Sequence, residues 1–179
     1  GSIHSVSRRS PNTTTNTAHC RSKRLADGSL VSIIVAVYNG ASCSESPINS
    51  VWSQSHQPLE LIVVDGASAD GTAELITQRN LRVDHLISEP DRGIGGAWNK
   101  GIRLARGRFI ALLNCGDAWP ADYIERHLAT FREETLMIQY GTTFMLEHGV
   151  VLHRFDRDFS RANLVDGFGF IHTSLFTSR

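Results

Sequence analysis

The chain is poor in cysteine, has no membrane-length apolar run and carries no excess of charge of either sign. Its three cysteines, Cys20, Cys43 and Cys115, are odd in number and far apart. They argue against a disulfide framework and against a cysteine zinc site, which needs paired spacings, and they favour a reducing, cytoplasmic setting. Lys plus Arg and Asp plus Glu each number 18, so no global field draws the chain to nucleic acid or to an acidic membrane surface. No apolar run approaches the roughly 18 residues of a membrane span. The N-terminus is polar and lacks an apolar core segment, so no secretion signal is expected. The phosphate loop G-x-x-x-x-G-K-[ST] is absent, and no strand runs into G-x-G-x-x-G; both absences argue against a P-loop NTPase or a dinucleotide oxidoreductase. G-x-S-x-G is missing too, which argues against a Ser/His/Asp hydrolase.

What is present divides into a tail and a domain. Residues 1–29 are rich in Ser, Thr, Asn and Arg, with few large apolar side chains, and read as a basic flexible tail. Residues 30–179 are long enough for one domain with a real core. Val31 to Val37 is a β-branched run, the pattern of a strand buried on both faces. A helix is expected over 44–54, with Ser44 as N-cap and Ile48, Val51 and Trp52 on one face. A second buried strand runs from Leu59 to Val64 and ends at Asp65. Asp70 or Ser68 caps the next helix, 71–79, which turns Leu75 and Ile76 inward. A short third strand covers His85 to Ile87. Ile94, Trp98, Ile102 and Ala105 step as a helical stripe, closed by Gly107. Phe109 to Leu113 is the fourth buried strand, stopped by Asn114-Cys115-Gly116-Asp117. Pro120 opens a helix whose inner face is Tyr123, Ile124, Leu128 and Phe131. A hairpin then spans Leu136 to Leu152, and the pattern beyond Phe155 is ambiguous.

Strands alternating with helices imply an α/β fold: a mostly parallel, Rossmann-like sheet flanked by helices on both faces, with a C-terminal β-hairpin. Ligands of such sheets bind at the carboxyl ends of the strands. Three ends carry conspicuous polar residues: Tyr38-Asn39, Asp65, and Asn114 with Asp117. Asp117 suits a hard divalent cation shared with phosphate oxygens. Gly93-Ile94-Gly95-Gly96 at a helix start either lets backbone N–H groups approach a phosphate or simply gives flexibility.

Five blocks resemble family 2 glycosyltransferases of the GT-A fold, in the branch that builds bacterial polysaccharides of the colanic-acid type. They are VSIIVAVYN (31–39), INSVWSQ (48–54), ELIVVDGASADGT (60–72), SEPDRGIGGAWNKG (88–101) and FIALLNCGD (109–117). The resemblance implies a glycosyltransferase of the hexosyltransferase type. It moves a sugar from a nucleotide-diphosphate donor to a hydroxyl of a saccharide or lipid-linked saccharide acceptor, with inversion and with Mg²⁺ or Mn²⁺. Carried over by position, Ala36, Tyr38, Asn39, Asp65, Arg92, Gly93, Asn99, Lys100 and Asn114 fall to the nucleotide sugar and Asp117 to the metal. His172 and Asp166 are the candidates for catalysis. No nucleic-acid partner is implied. A cytoplasmic location at the inner face of the membrane, peripheral membrane association and a homo-oligomer stay open.

The departures are specific. Gly66 stands where many relatives have a second acid, one that contacts the base. Gly95-Gly96 replaces a frequent Tyr-Asp, and Asn114 and Gly116 replace two acids of the metal motif. The family's general base usually lies beyond the block matching Phe170 to Arg179, so the domain is expected to be truncated on its acceptor side. A non-catalytic nucleotide-sugar-binding module is the alternative reading. A nucleotidyltransferase is a further one, but its Gly-rich basic loop is missing at Tyr38 to Ser44.

Overall fold

A computed structural model of the chain describes residues 28–131, 138–139, 143–147, 150–155 and 176–178. The tail through residue 27, His172 and Asp166 lie outside the described residues. The element order is β1 (Val31–Val37), α1 (Glu45–Trp52), β2 (Leu59–Asp65), α2 (Thr72–Gln78), β3 (His85–Ser88), α3 (Ile94–Leu104), β4 (Phe109–Asn114), α4 (Tyr123–Thr130), β5 (Ile138–Gln139), β6 (Thr143–Glu147), β7 (Val150–Phe155) and β8 (Phe176–Ser178).

Among the described residues, six strands form one sheet in the order β3-β2-β1-β4-β8-β5. β1 pairs in parallel with β2 and β4, and β2 with β3; β8 runs antiparallel to both β4 and β5. The chain steps from β1 outward to β3 and then returns to the other side of β1. The strand order therefore reverses between β1 and β4, which creates a crevice at their carboxyl ends.

The strands are apolar at successive positions because both faces are covered. Val31, Ile33, Val35 and Val37 share one core with Ile48 and Val51 of α1, Ile76 of α2 and Ile124 of α4. Ile34 and Ala36 share the other with Ile62, Val64 and Ala97 of α3. Each such buried aliphatic side chain contributes about 1.5–3 kcal/mol relative to exposure.

Several local expectations need correction. Of the stripe Ile94, Trp98, Ile102 and Ala105, only Trp98 and Ala105 pack against the core; Ile94 and Ile102 are exposed, and Ala97 and Gly101 are buried in their place. A Cβ on Gly101 would lie 2.4 Å from Ile34 Cγ2, so the helix needs its small residues against the sheet. Gly107 does not close α3, whose C-cap is Ala105. It lies instead where a Cβ would be 2.6 Å from the Ser32 nitrogen, at the entry to β4. Ser44 occupies the N-cap of α1 but makes no side-chain cap bond, and its hydroxyl is buried without a partner. The N-cap of α2 is Gly71, although Asp70 still accepts the Thr72 N–H. Pro120 lies ahead of α4, whose N-cap is Asp122. The hairpin is real as β6 and β7, but Ile138–Gln139 belongs to the main sheet. The ambiguous last segment supplies β8, where Phe176 stacks on Phe109 with ring centroids 5.5 Å apart.

Candidate functional site

At the carboxyl ends of β1 and β2 lies a cavity of about 450 Å³. Its walls include Ala36, Tyr38, Gly66, Asp91, Gly93 and Ile94. The Tyr38 side chain is 70% exposed, so its ring offers an open aromatic edge at the mouth. Asp91 is the one charged side chain among the lining residues.

The loop after β1 is pinned to the loop after β2 by a chain of hydrogen bonds. The buried Asp65 carboxylate accepts from the Ser68 hydroxyl and from the Ser88 hydroxyl at 2.6 Å. Ser68 Oγ in turn accepts the Asn39 N–H at 2.7 Å, and Asn39 Oδ1 accepts the Ala69 N–H at 3.1 Å. Asp70 accepts the Ala41 N–H at 3.0 Å, and Thr72 Oγ1 accepts the Gly40 N–H at 2.9 Å. Hydrogen bonds from the Thr72 hydroxyl and then the Ala41 N–H hold the Asp70 carboxyl below its ordinary value. These acids and amides fix the backbone that carries Tyr38.

The opposite wall comes from the link between β3 and α3. Lys100 Nζ donates to the Pro90 carbonyl at 2.7 Å and pairs with Glu89 at 3.0 Å. The Gly93 N–H donates to Asp91 Oδ1 at 2.8 Å, which Gly93 achieves with φ at 87°. Arg92 and Asn99 are exposed. A Cβ on Gly95 would meet nothing within 4 Å, so packing does not require that glycine.

The end of β4 is a separate feature next to β1. The Cys115 N–H donates to the Ala36 carbonyl at 3.2 Å, and the Asp117 N–H to the Asn114 carbonyl at 3.2 Å. Gly116, at φ 89°, lets the turn close. Among the described residues the buried Asn114 amide oxygen has no hydrogen-bond partner, and Asp117 is half-buried three residues on. A buried amide oxygen and a carboxylate on the same turn are hard-oxygen donors, the type that suits Mg²⁺ or Mn²⁺ supplemented by substrate oxygens. Among the described residues no cluster of three or more His, Cys, Asp or Glu side chains is poised to hold a metal by itself. Cys43 and Cys115, distant in sequence, place their sulfurs 2.6 Å apart as free thiols under this turn. Burial, and then the neighbouring Cys43 thiol, push Cys115 up to about 12, so it stays a thiol at neutral pH.

Of the residues singled out in the sequence, Ala36, Tyr38 and Gly93 line the cavity. Asn39, Asp65 and Lys100 make hydrogen bonds that hold its walls. Asn114 and Asp117 form the turn at the adjacent strand end. Asp91 was not singled out. The only signal for it is an acid inside the turn Pro90-Asp91-Arg92-Gly93, which reads equally well as turn chemistry.

Comparison with known proteins follows the same outline. The chain is 33% identical over 130 residues to the putative teichuronic acid biosynthesis glycosyltransferase TuaG of Bacillus subtilis, covering 70% of this chain and 52% of that protein. It is 31% identical over 130 residues to the UDP-Glc:alpha-D-GlcNAc-diphosphoundecaprenol beta-1,3-glucosyltransferase WfgD of Escherichia coli, covering 72% and 51%. The chain thus spans about half the length of these relatives. Among solved structures it is similar to the mannosyltransferase PcManGT from Pyrobaculum calidifontis in complex with GDP-Man and Mn²⁺. That match has a TM-score of 0.55 and 28% identity, and covers 62% of this chain and 34% of that one. Residues 32–163 match Glycosyl transferase family 2, more than half of the chain, so the protein belongs to that family and carries its GT-A fold.

Proposed function

We propose that the protein is the donor-binding part of a glycosyltransferase that moves a sugar from a nucleotide-diphosphate donor to an acceptor hydroxyl in polysaccharide or glycoconjugate synthesis. The observation that carries this reading is the cavity beside Tyr38, adjoining the strand end that presents Asn114 and Asp117. The aromatic edge and apolar walls suit a nucleobase. The diphosphate then extends toward the end of β4, where oxygen donors rather than cations stand. Asn114 and Asp117 would hold a divalent metal, which supplies neutralisation of the charge that develops on the departing diphosphate. Asp65, Asn39 and Lys100 keep the walls in place without reorganisation during the reaction.

Inverting transfer needs a base within hydrogen-bond reach of the acceptor hydroxyl. His172 and Asp166 carry that role in this reading; both lie outside the described residues. The acceptor is taken to be a saccharide or lipid-linked saccharide, as the name of WfgD indicates for that enzyme. Among the described residues no helix is long and apolar enough to cross a membrane.

The test is calorimetric titration with UDP-, GDP- and dTDP-sugars, with and without Mn²⁺. Binding of at least one donor, strengthened by the metal, is expected. Asp117→Asn should remove the metal enhancement while leaving the melting temperature within about 2 °C, the size of an ordinary surface change. Absence of binding by every donor refutes the reading, and an undiminished metal effect in Asp117→Asn removes Asp117 from the metal.

A further inference from the structure

We infer that Cys43 and Cys115 are an oxidisable dithiol, a modification site that a hydroperoxide converts to a disulfide and a thiol reductant restores. The bond staples the loop after β1 to the turn at the end of β4. Nothing in it depends on the identity of a donor.

The two cysteines are 72 residues apart in sequence, and their sulfurs lie 2.6 Å apart. Backbone hydrogen bonds hold both against the end of β1 and the loop that follows it. The Cys115 N–H donates to the Ala36 carbonyl at 3.2 Å, and the Cys43 N–H to the Gly40 carbonyl at 3.0 Å. Gly40 leaves the space in which the sulfurs meet. A Cβ there would lie 2.6 Å from Cys115 Sγ and 3.5 Å from Cys43 Sγ. A Cβ on Gly116 would lie 3.8 Å from Cys43 Cβ, so the β4 turn packs beside Cys43 as well.

Two thiols so placed have two ordinary fates, a metal or each other. A structural zinc site takes four ligands. Among the described residues no third His, Cys, Asp or Glu joins the pair in a group that could hold a metal. Oxidation needs only the two sulfurs. An S–S bond is about 2.05 Å long, so the pair closes by a shift of about 0.6 Å, comparable to the thermal displacement of a well-ordered side chain. Both residues are half-buried rather than sealed in the core, so a small oxidant reaches them.

The chemistry balances in two steps. One sulfur attacks an oxygen of the hydroperoxide. An S–O bond forms, the O–O bond breaks, and the second oxygen leaves with that thiol's proton, as water when the oxidant is hydrogen peroxide. The other sulfur then attacks the oxidised one. The S–S bond forms, the S–O bond breaks, and hydroxide leaves with the second thiol's proton as water. Two thiols lose two electrons in all, and the peroxide gains them. The product ties Cys115, which stands between Asn114 and Asp117, to the segment that leads into α1.

The experiment is oxidation of the folded full chain with hydrogen peroxide, followed by thiol titration, peptide mapping and thermal melting. The chain's three thiols should fall to one. The mass should drop by about 2 Da, and the mapped bond should join Cys43 to Cys115 within one chain. Closing so long a loop should raise the melting temperature by at least about 5 °C, and dithiothreitol should reverse the rise. Cys43→Ser and Cys115→Ser should each abolish both the bond and the rise; either serves if the other does not fold. Cys20→Ser should respond as the parent does. Retention of all three thiols, a bond to Cys20 or between chains, or sulfinic acid at Cys43 or Cys115 in place of the bond overturns the inference. So does a Cys43–Cys115 bond that leaves the melting temperature unchanged, or a rise that persists in Cys43→Ser.

Discussion

Glu60 should be the costliest single carboxylate to alter, although it lies far from the site. It sits near the start of β2 and is 1% exposed. Its Oε2 accepts from the Ser32 hydroxyl at 2.5 Å and the Arg106 N–H at 2.9 Å, and its Oε1 accepts from Arg106 Nε at 2.6 Å. The Gly107 N–H donates to the same Ser32 hydroxyl at 2.8 Å. One carboxylate thus joins β1, β2 and the entry to β4. Glu60→Gln removes the charge and keeps an acceptor oxygen at only one of the two positions, so an NH₂ group faces an Arg106 N–H at the other. Bonds to a charged acceptor contribute about 1.5–3 kcal/mol each when lost. The Arg106 side chain is 68% exposed, so its arm is discounted for competition by water. The remaining loss is about 3 kcal/mol, or about 6–12 °C in melting temperature for a chain of this size. Arg106→Ala keeps the backbone N–H and should cost no more than about 1 kcal/mol.

The pH dependence of Glu60 follows with its sign. Burial pushes the carboxyl up, but the bonds from Ser32 and Arg106 outweigh it and hold the group below its ordinary 4.5. The stabilisation is therefore complete above about pH 4.5 and lost as pH falls through the folded value. The parent and Glu60→Gln should converge in melting temperature on acidification, followed by circular dichroism. A Glu60→Gln chain melting within about 2 °C of the parent at pH 7, or an equal cost for Arg106→Ala, refutes this reasoning.

Two other perturbations test the packing. Gly101→Ala places a methyl 2.4 Å from Ile34 Cγ2 and should destabilise by about 1–3 kcal/mol, although alanine is the better helix former. Ile34→Ala, which removes Cγ2, should cost less in the Gly101→Ala chain than in the parent by urea unfolding, and strict additivity would exclude the contact. His127 lies against the rings of Tyr123 and Phe176, at 4.2 and 5.3 Å between centroids. Burial lowers it below 6.5, more than its bond to the Tyr123 carbonyl raises it. Protonation then favours the unfolded chain, so stability falls as pH drops below 6.5 and levels off beneath the folded value. His127→Phe should flatten that part of a melting-temperature profile between pH 7.5 and 5; an unchanged slope assigns the dependence to another group.

The sequence by itself determined the three long strands of the sheet, the short third one and the crevice at their carboxyl ends. Val31 to Val37 and Phe109 to Leu113 are apolar at consecutive positions, and only a strand covered on both faces needs that pattern. Alternation with helices then places Tyr38, Asp65 and Asn114 at strand ends. Tertiary structure decided the rest, because the deciding contacts join residues that no local period connects. Ala97 and Gly101 lie on the packed face of α3, with Ile34 against Gly101 where a larger side chain would stand, and a hydrophobicity stripe cannot register missing volume. β8 has three residues and no pattern of its own; it exists as a partner to β4 and β5. Asp65 reads in sequence as an acid at a strand end, yet Ser68 and Ser88 engage its oxygens. Asp91 reads as a turn residue, yet its carboxylate stands over Gly66. The role of a carboxylate depends on which donors the fold brings within about 3 Å of it. That distance is set by the packing of distant segments, and the sequence around the residue does not contain it.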